Sequence, residues 1–293
     1  MTTIVPVPPD FRFDFSLEFL RRSPKEMLHR VGDDGRVMKA IRIGEEIVVV
    51  SLTWNDVGLS LTFLNTDPSS SVLSAVVSYI REWFDLDSDL NPFYRMAGKD
   101  KILGPLVKKY KGHRIMSYPD LFESLIWAVL GQQINLQFAY TLKQRFVEAF
   151  GEKVDLNGST YYVFPQPARV SALMDSDLLP LQFSRQKSQY TVNIAKAFVA
   201  GEISKRNLRG LSLLDAKEEL MKIKGVGNWT ANYALMRTFR YPDAFPLEDA
   251  GLHNALKKQL GLKSKPSVER VKKIFKNYKG WEAYATVYLW KSL

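Results

Sequence analysis

The sequence predicts an α+β protein: a small mixed N-terminal domain with an antiparallel sheet, residues 1–88, followed by an all-helical region, residues 89–293. Three observations carry that division. Short runs rich in Val, Ile and Leu crowd into residues 36–64, strand-type patterning fades after DSDLNPFY, and from there apolar residues recur at helical spacing between Gly, Pro and Asn breaks. Each part is long enough to bury a core of its own.

The N-terminal stretch MTTIVPVPPDFRFDF lacks the charged start and apolar core of an export signal, and no later run reaches bilayer length, so a cytoplasmic protein is expected. The next segment, SLEFLRRSPKEMLHRV, is ambiguous. RVMKAIRI, EIVVVSLTW and VGLSLTFLN, separated by Gly, Asp and Asn, read as antiparallel strands. A serine start before SSSVLSAVVSYIREWFDL predicts a helix that covers them. Further on, Ser117 with Pro119 opens DLFESLIWAVL, Asn135 opens LQFAYTLKQRFVEAFG, and Ser184 opens RQKSQYTVNIAKAFVAG. Ser212 and Asp215 give LLDAKEELMKI a capping-box-like start. There is no internal repeat and no low-complexity tract.

Charge and composition narrow the chemistry. Forty-one Lys and Arg against 31 Asp and Glu give a formal net charge of +10, which suits a surface that meets a polyanion. The absence of cysteine excludes disulfides, thiolate metal sites, iron–sulfur ligation and cysteine nucleophiles. His29, His113 and His253 are scattered rather than clustered with acids as catalytic metal ligands would be, and His253 is expected to be solvated.

One stretch stands out: MKIKGVGNWTANYAL, Met221–Leu235, interrupts a helix with two glycines and resumes it at once. Gly225 and Gly227 permit a tight hairpin, and the restarted helix presents free N–H groups and a positive dipole end to any phosphate oxygen that approaches. Such contacts position a nucleic acid without reading its sequence. An ordinary helix–turn–helix corner closed by a glycine cap has the same spacing.

The wider pattern ELMKIKGVGNWTANYALMRTFRYPDAFPLEDAGL resembles the helix-hairpin-helix plus Gly/Pro-Asp (HhH-GPD) signature of a DNA glycosylase superfamily, with Leu220, Ile223, Gly225, Gly227, Thr230, Ala231, Pro246 and Asp249 at its stations. Lys224 departs from it, because hairpins of that family usually carry proline there. LFESLIWAVLGQQI and YYVFPQPARVSAL are similar to further segments of the family. With the sheet-bearing start, nearly the whole chain resembles the alkylation-repair branch, 3-methyladenine DNA glycosylase II. The resemblance implies a glycosylase core of two helical subdomains, one over about 117–240 and the other formed by 89–116 with 241–293.

It also implies an activity: hydrolysis of the N-glycosidic bond of an alkylated purine, of 3-methyladenine or 7-methylguanine type, swung out of duplex DNA. Asp249 matches the essential carboxylate that faces the sugar as positive charge develops on it, and it is equally placed to cap the helix AGLHNALKKQL. Trp229 stands where strand-cutting members carry a nucleophilic lysine, which implies a monofunctional enzyme. Trp229 and Tyr233, four apart on one helix, together with Trp281 and Gln132, are the implied base pocket, although single helical aromatics commonly serve as core. Gln133 is the implied wedge into the vacated stack, with Ile134 as the alternative. Phosphate contacts fall to Lys224, Gly225, Val226, Gly227, Asn228 and Thr230. A monovalent cation, Na+ or K+, is implied at the main-chain carbonyls of Met221, Ile223 and Val226, with no other cofactor, and the partner is double-stranded DNA bound by a monomer. Two other functions share the motif: a glycosylase for deaminated or oxidised purines, and a noncatalytic damage-binding protein.

Overall fold

A computed structural model describes residues 2–293. The chain begins with β1 (Thr2–Val5), α1 (Phe13–Leu20), β2 (Arg30–Val31), β3 (Val37–Ile43), β4 (Glu46–Asn55), β5 (Gly58–Phe63) and α2 (Ser70–Trp83). The strands form one antiparallel sheet in the order β1-β5-β4-β3-β2. The three central strands are those the sequence predicts, and the ambiguous stretch resolves into α1, a loop and the short β2. Ser69 accepts a hydrogen bond from the Val72 N–H, and α2 then lays Val72, Val76 and Ile80 on the inner sheet residues Ile41, Val50, Leu52 and Leu61.

The helical part follows: α3 (Asn91–Ala97), α4 (Leu103–Tyr110), α5 (Leu121–Gly131) and α6 (Leu136–Phe150), then β6 (Glu152–Leu156) and β7 (Ser159–Val163). After these come α7 (Pro167–Ser171), α8 (Asp175–Leu178), α9 (Arg185–Val199), α10 (Lys205–Leu208), α11 (Leu213–Met221) and α12 (Asn228–Phe239). α13 (Ala250–Gln259), α14 (Val268–Phe275) and α15 (Glu282–Lys291) complete the chain. Asn135, Ser184 and Ser212 cap α6, α9 and α11 as the sequence predicts. The cap of α5 is Asp120, whose carboxylate accepts from the Glu123 N–H, and not Ser117 or Pro119; Ser117 is tied to the Trp83 carbonyl in the strap that leads in. Among the described residues no helix is long and apolar enough to cross a membrane.

The hairpin β6–β7 adds strand where only helix is expected. Asn157 and Gly158 turn it with φ of 50° and 72°, the left-handed pair that a two-residue hairpin loop requires. It is a third layer, packing Tyr161 against Ala40 and Val49 on the outer face of the sheet, with Glu152 paired to Arg42.

Two helices organise the rest. Every residue from Leu121 to Leu130 of α5 and from Thr230 to Thr238 of α12 is buried, because each helix is wedged between two cores. Leu125, Ile126, Ala234 and Leu235 join the core shared with α6, α9 and α11, whereas Trp127, Ala128, Tyr233 and Met236 join the core shared with α3, α4, α13 and α15. α5 is accordingly apolar on nearly every face, whereas α12 also buries Asn232 and Arg237, each hydrogen-bonded to a main-chain carbonyl. Lys143 of α6 is buried between Glu26 and Glu123, at 3.1 and 3.2 Å, and this ion triad fastens the loop after α1 to the helical part.

Candidate active site

The site starts at the corner between α11 and α12. α11 ends at Met221, the Val226 N–H closes a turn on the Ile223 carbonyl, and Gly225 takes a φ of 109°. A Cβ on Gly225 would also lie 2.4 Å from the Tyr190 ring, so glycine is required twice over. α12 begins without a side-chain cap, and its first intrahelical bond runs from Ala231 to the Gly227 carbonyl. The N–H groups of Asn228, Trp229 and Thr230 precede that bond at the positive end of the helix dipole. Gln132, at the end of α5, donates to the Thr230 hydroxyl at 3.0 Å and to the Gly225 carbonyl at 3.4 Å. Lys187 of α9 donates to the carbonyls of Val129 and Gln132, and burial lowers its pKa to about 8.

The loop from α12 to α13 is stitched to the same corner. Asn232 accepts from the Phe245 N–H while donating to the Asn228 carbonyl, and the Asn228 amide donates to Glu248. These ties set the position of Asp249. Its Oδ1 caps α13 by accepting from the Leu252 N–H at 2.7 Å and also accepts from the Trp290 indole at 2.8 Å; Oδ2 accepts from the Trp229 indole at 3.3 Å. Three N–H donors therefore hold one carboxylate in one orientation. Trp229 stacks on Tyr233 with ring centroids 5.3 Å apart, and the Tyr233 hydroxyl accepts from Trp127.

Asp249 opens onto a cavity of about 1120 Å³. Its walls are aromatic: Trp127, Trp229, Tyr233 and Trp290 from the helical part, and Phe15 and Phe19 from α1 of the sheet domain. Arg22 and Arg237 line it too, whereas Glu18 at its edge is paired with Lys291. His113, also in the wall, is held far down, to about 3, by burial and then by the cations Lys291 and Arg237. An aromatic cleft with one multiply held carboxylate at its mouth can enclose a flat ring and set an anion against whatever the ring is bonded to.

Comparison with known proteins identifies the scaffold. The profile of HhH-GPD superfamily base excision DNA repair proteins matches residues 126–280, which span the α5 end, the hairpin and Asp249. This chain belongs to the HhH-GPD superfamily. The same HhH-GPD chain matches the N-terminal domain of 8-oxoguanine DNA glycosylases over residues 29–125. It is 41% identical over 294 residues to a DNA-3-methyladenine glycosylase of Bacillus subtilis, covering 99% of this chain and 96% of that one. The solved 3-methyladenine DNA glycosylase of Archaeoglobus fulgidus superposes with a TM-score of 0.82 at 22% identity, over 99% and 97% of the two chains, and so shares the fold. The 3-methyladenine DNA glycosylase of Schizosaccharomyces pombe, solved with abasic DNA, gives a TM-score of 0.57 at 28% identity over 67% of this chain and 93% of its own.

Within this HhH-GPD fold the predicted residues do not all converge. Asp249, Trp229, Tyr233 and Gln132 do line one cavity. Trp281 does not: it precedes α15 and packs on Phe93 and Tyr284, outside the cavity, while Trp290 at the far end of the same helix reaches Asp249. Gln133 is exposed at the cavity rim with a left-handed φ of 57°, whereas Ile134 is packed against both helical cores. The exposed Leu136 flanks it on the rim. In the hairpin, Lys224 and Gly227 are exposed, the Val226 side chain is buried, and the side chains of Asn228 and Thr230 are engaged with Glu248 and Gln132. His253 is buried rather than solvated, its ring nitrogens on the carbonyls of Leu247 and Pro266. Trp127, Trp290, Phe15, Phe19, Arg22 and Arg237 are wall residues that sequence reasoning missed.

Proposed function

We propose that this protein is a DNA glycosylase that hydrolyses the N-glycosidic bond of alkylated purines, of 3-methyladenine and 7-methylguanine type, extruded from duplex DNA, and that it leaves the strand uncut. The observation that carries this is the Asp249 carboxylate, fixed by three N–H donors at the mouth of an aromatic cavity. As the base departs, positive charge grows on the sugar, and a carboxylate already in place stabilises that charge without reorganising. The extruded base enters among Trp229, Tyr233 and Trp290, whose ring faces attract a cationic alkylpurine. N–H groups of the Gly225–Thr230 corner, with Lys224, take a backbone phosphate, and Gln133 enters the vacated stack. The carbonyls of Met221, Ile223 and Val226 are the candidates for a monovalent cation at this corner; Ile223 O keeps a lone pair beyond the one that Val226 uses. Every one of these groups comes from a single chain, so a monomer suffices.

Trp229 at the position that follows the hairpin supports water, rather than a lysine amine, as the nucleophile. With methylated duplex DNA the protein should release methylated purines and leave alkali-labile abasic sites, and Asp249→Asn should lower the rate by about a hundredfold or more. Unchanged release by the variant would refute the role of Asp249. Borohydride reduction with abasic DNA should trap no covalent adduct, and a trapped adduct would refute the hydrolytic reading. The match of residues 29–125 to 8-oxoguanine DNA glycosylases favours one second reading, release of oxidised purines, which a comparison of 3-methyladenine and 8-oxoguanine duplexes decides.

A further inference from the structure

Trp229, Tyr233 and Arg237 follow one another at four-residue steps along α12, so Arg237 stands about 12 Å along the helix from the indole that touches Asp249. At that far end two guanidinium groups approach a single ring: Arg22 lies 3.9 Å and Arg237 5.1 Å from the centroid of Phe19. Their acceptors are neutral. Arg22 donates to the phenols of Tyr140 and Tyr118, and Arg237 donates through Nη1 to the Met116 carbonyl. Arg237 is 4% exposed, it lines the cavity, and its Nε–H is buried with no partner among the described residues. A buried donor without an acceptor is costly, and Nε–H shares an edge of the guanidinium fork with Nη2; Nε is covered, so a base in the cavity meets this edge with a turn of the guanidinium.

From this we infer that Arg237 reads position 6 of the extruded purine, favouring a 6-oxo acceptor over a 6-amino donor; the inference rests on the reading of the cavity as the base-binding site. An arginine edge matches the adjacent acceptors O6 and N7 of an oxopurine, as in hypoxanthine, and O6 alone where N7 is methylated. The amino group of 3-methyladenine opposes it, donor against donor. The charge distribution points the same way. When the C1′–N9 bond breaks, its electron pair passes to the base and water supplies the oxygen that bonds to C1′; the water's proton returns a base that began neutral to its neutral form, or passes to solvent where the base began cationic. A base that begins neutral carries that electron pair as negative charge on the ring and O6, beside the Arg237 cation, while Asp249 faces the sugar. A base that begins cationic leaves neutral and gains nothing from the arginine.

The test is single-turnover release of hypoxanthine, 7-methylguanine and 3-methyladenine from otherwise identical duplexes by the wild type, Arg237→Met and Arg237→Lys, with thermal melting of each. Arg237→Met should lower release of hypoxanthine roughly ten- to a hundredfold relative to 3-methyladenine, and release of 7-methylguanine, which is cationic and offers O6 alone, by a smaller factor. Arg237→Lys, which keeps the charge but not the fork, should recover only part of that ratio. Equal loss on all three bases would overturn the inference and leave Arg237 as a support for the surrounding rings. If Arg237→Met does not fold, quenching of wild-type tryptophan fluorescence by free hypoxanthine and free adenine decides, and equal affinities overturn it. Failure of the underlying reading looks different: the wild type would release none of the three bases at a rate above that of Asp249→Asn.

Discussion

A single methyl group, added at Gly251, should cost this protein far more activity than fold. Gly251 is the second residue of α13, and a Cβ built there lies 3.0 Å from Asp249 Oδ1 and 3.1 Å from Trp290 Nε1, the two atoms that share a 2.8 Å hydrogen bond. To admit the methyl group, that bond has to open by some tenths of an ångström. The Leu252 N–H and the Trp229 indole still hold the carboxylate, so its orientation loosens without being lost. A hydrogen bond to a charged group contributes about 1.5–3 kcal/mol, and each 1.36 kcal/mol in the barrier is roughly a factor of ten in rate. Gly251→Ala should therefore lower single-turnover release of a methylated purine about ten- to a hundredfold. Alanine within a helix is favoured over glycine by up to about 1 kcal/mol, which offsets only part of the lost hydrogen bond, so Tm should fall by a few degrees while the protein stays folded. Trp290→Phe removes the same bond from its other end, and the double variant should fall little below the weaker single one. Full activity in Gly251→Ala, or losses in the double variant that multiply, would show that the Trp290–Asp249 contact does not serve the reaction.

Two further outcomes follow from the same coordinates. Gly225→Ala places a Cβ against Tyr190 at a φ of 109°; it should cost roughly 2–4 kcal/mol in urea unfolding and weaken binding of undamaged duplex in a gel shift, and an unchanged midpoint would show the corner to be more plastic than described. His113 has a folded pKa of about 3, far below its ordinary value, because it is buried and faces Lys291 and Arg237. The unfolded chain thus binds a proton that the folded one refuses, and this share of stability is complete above pH 6.5 and is lost as the pH falls toward 3. Between pH 7.5 and 5.0 it amounts to about 2 kcal/mol, so His113→Phe should shrink the difference in unfolding free energy between those pH values by that much. An identical pH dependence in the variant would place the acid sensitivity elsewhere.

Local chemistry was the most readable part of this chain. Gly225 and Gly227 between two helical runs mark the corner, Asn135, Ser184 and Ser212 mark three helix starts, and Asp249 sits at an N-cap position where its spacing from the corner places it. The hairpin β6–β7 was missed despite the turn signal Asn157-Gly158, because its five-residue strands are short against the long helices on either side. Tertiary relations were less accessible. Trp281 and Trp290 bracket one helix, about 13.5 Å apart, and only the packing of α15 against α13 decides which indole meets Asp249. His253 looked like a surface residue because its burial depends on the loop carrying Pro266, which no helical periodicity describes. Arg22 and Phe19 lie more than 200 residues from Asp249 in sequence, and nothing local announces that they share its cavity.

That last relation changes what the sheet domain is for. Phe15, Phe19 and Arg22 stand between β1 and β2, ahead of most of the sheet, yet they close one side of the chamber, and the Glu26–Lys143 contact keeps them there. A fragment starting at residue 89 would keep the corner, the acid and three indoles but would be unroofed, flooding its reaction centre with bulk solvent in which fixed charges lose most of their force. Grafting a foreign sheet onto the helical part would likewise alter which bases are admitted, so the two halves of this chain are not interchangeable parts.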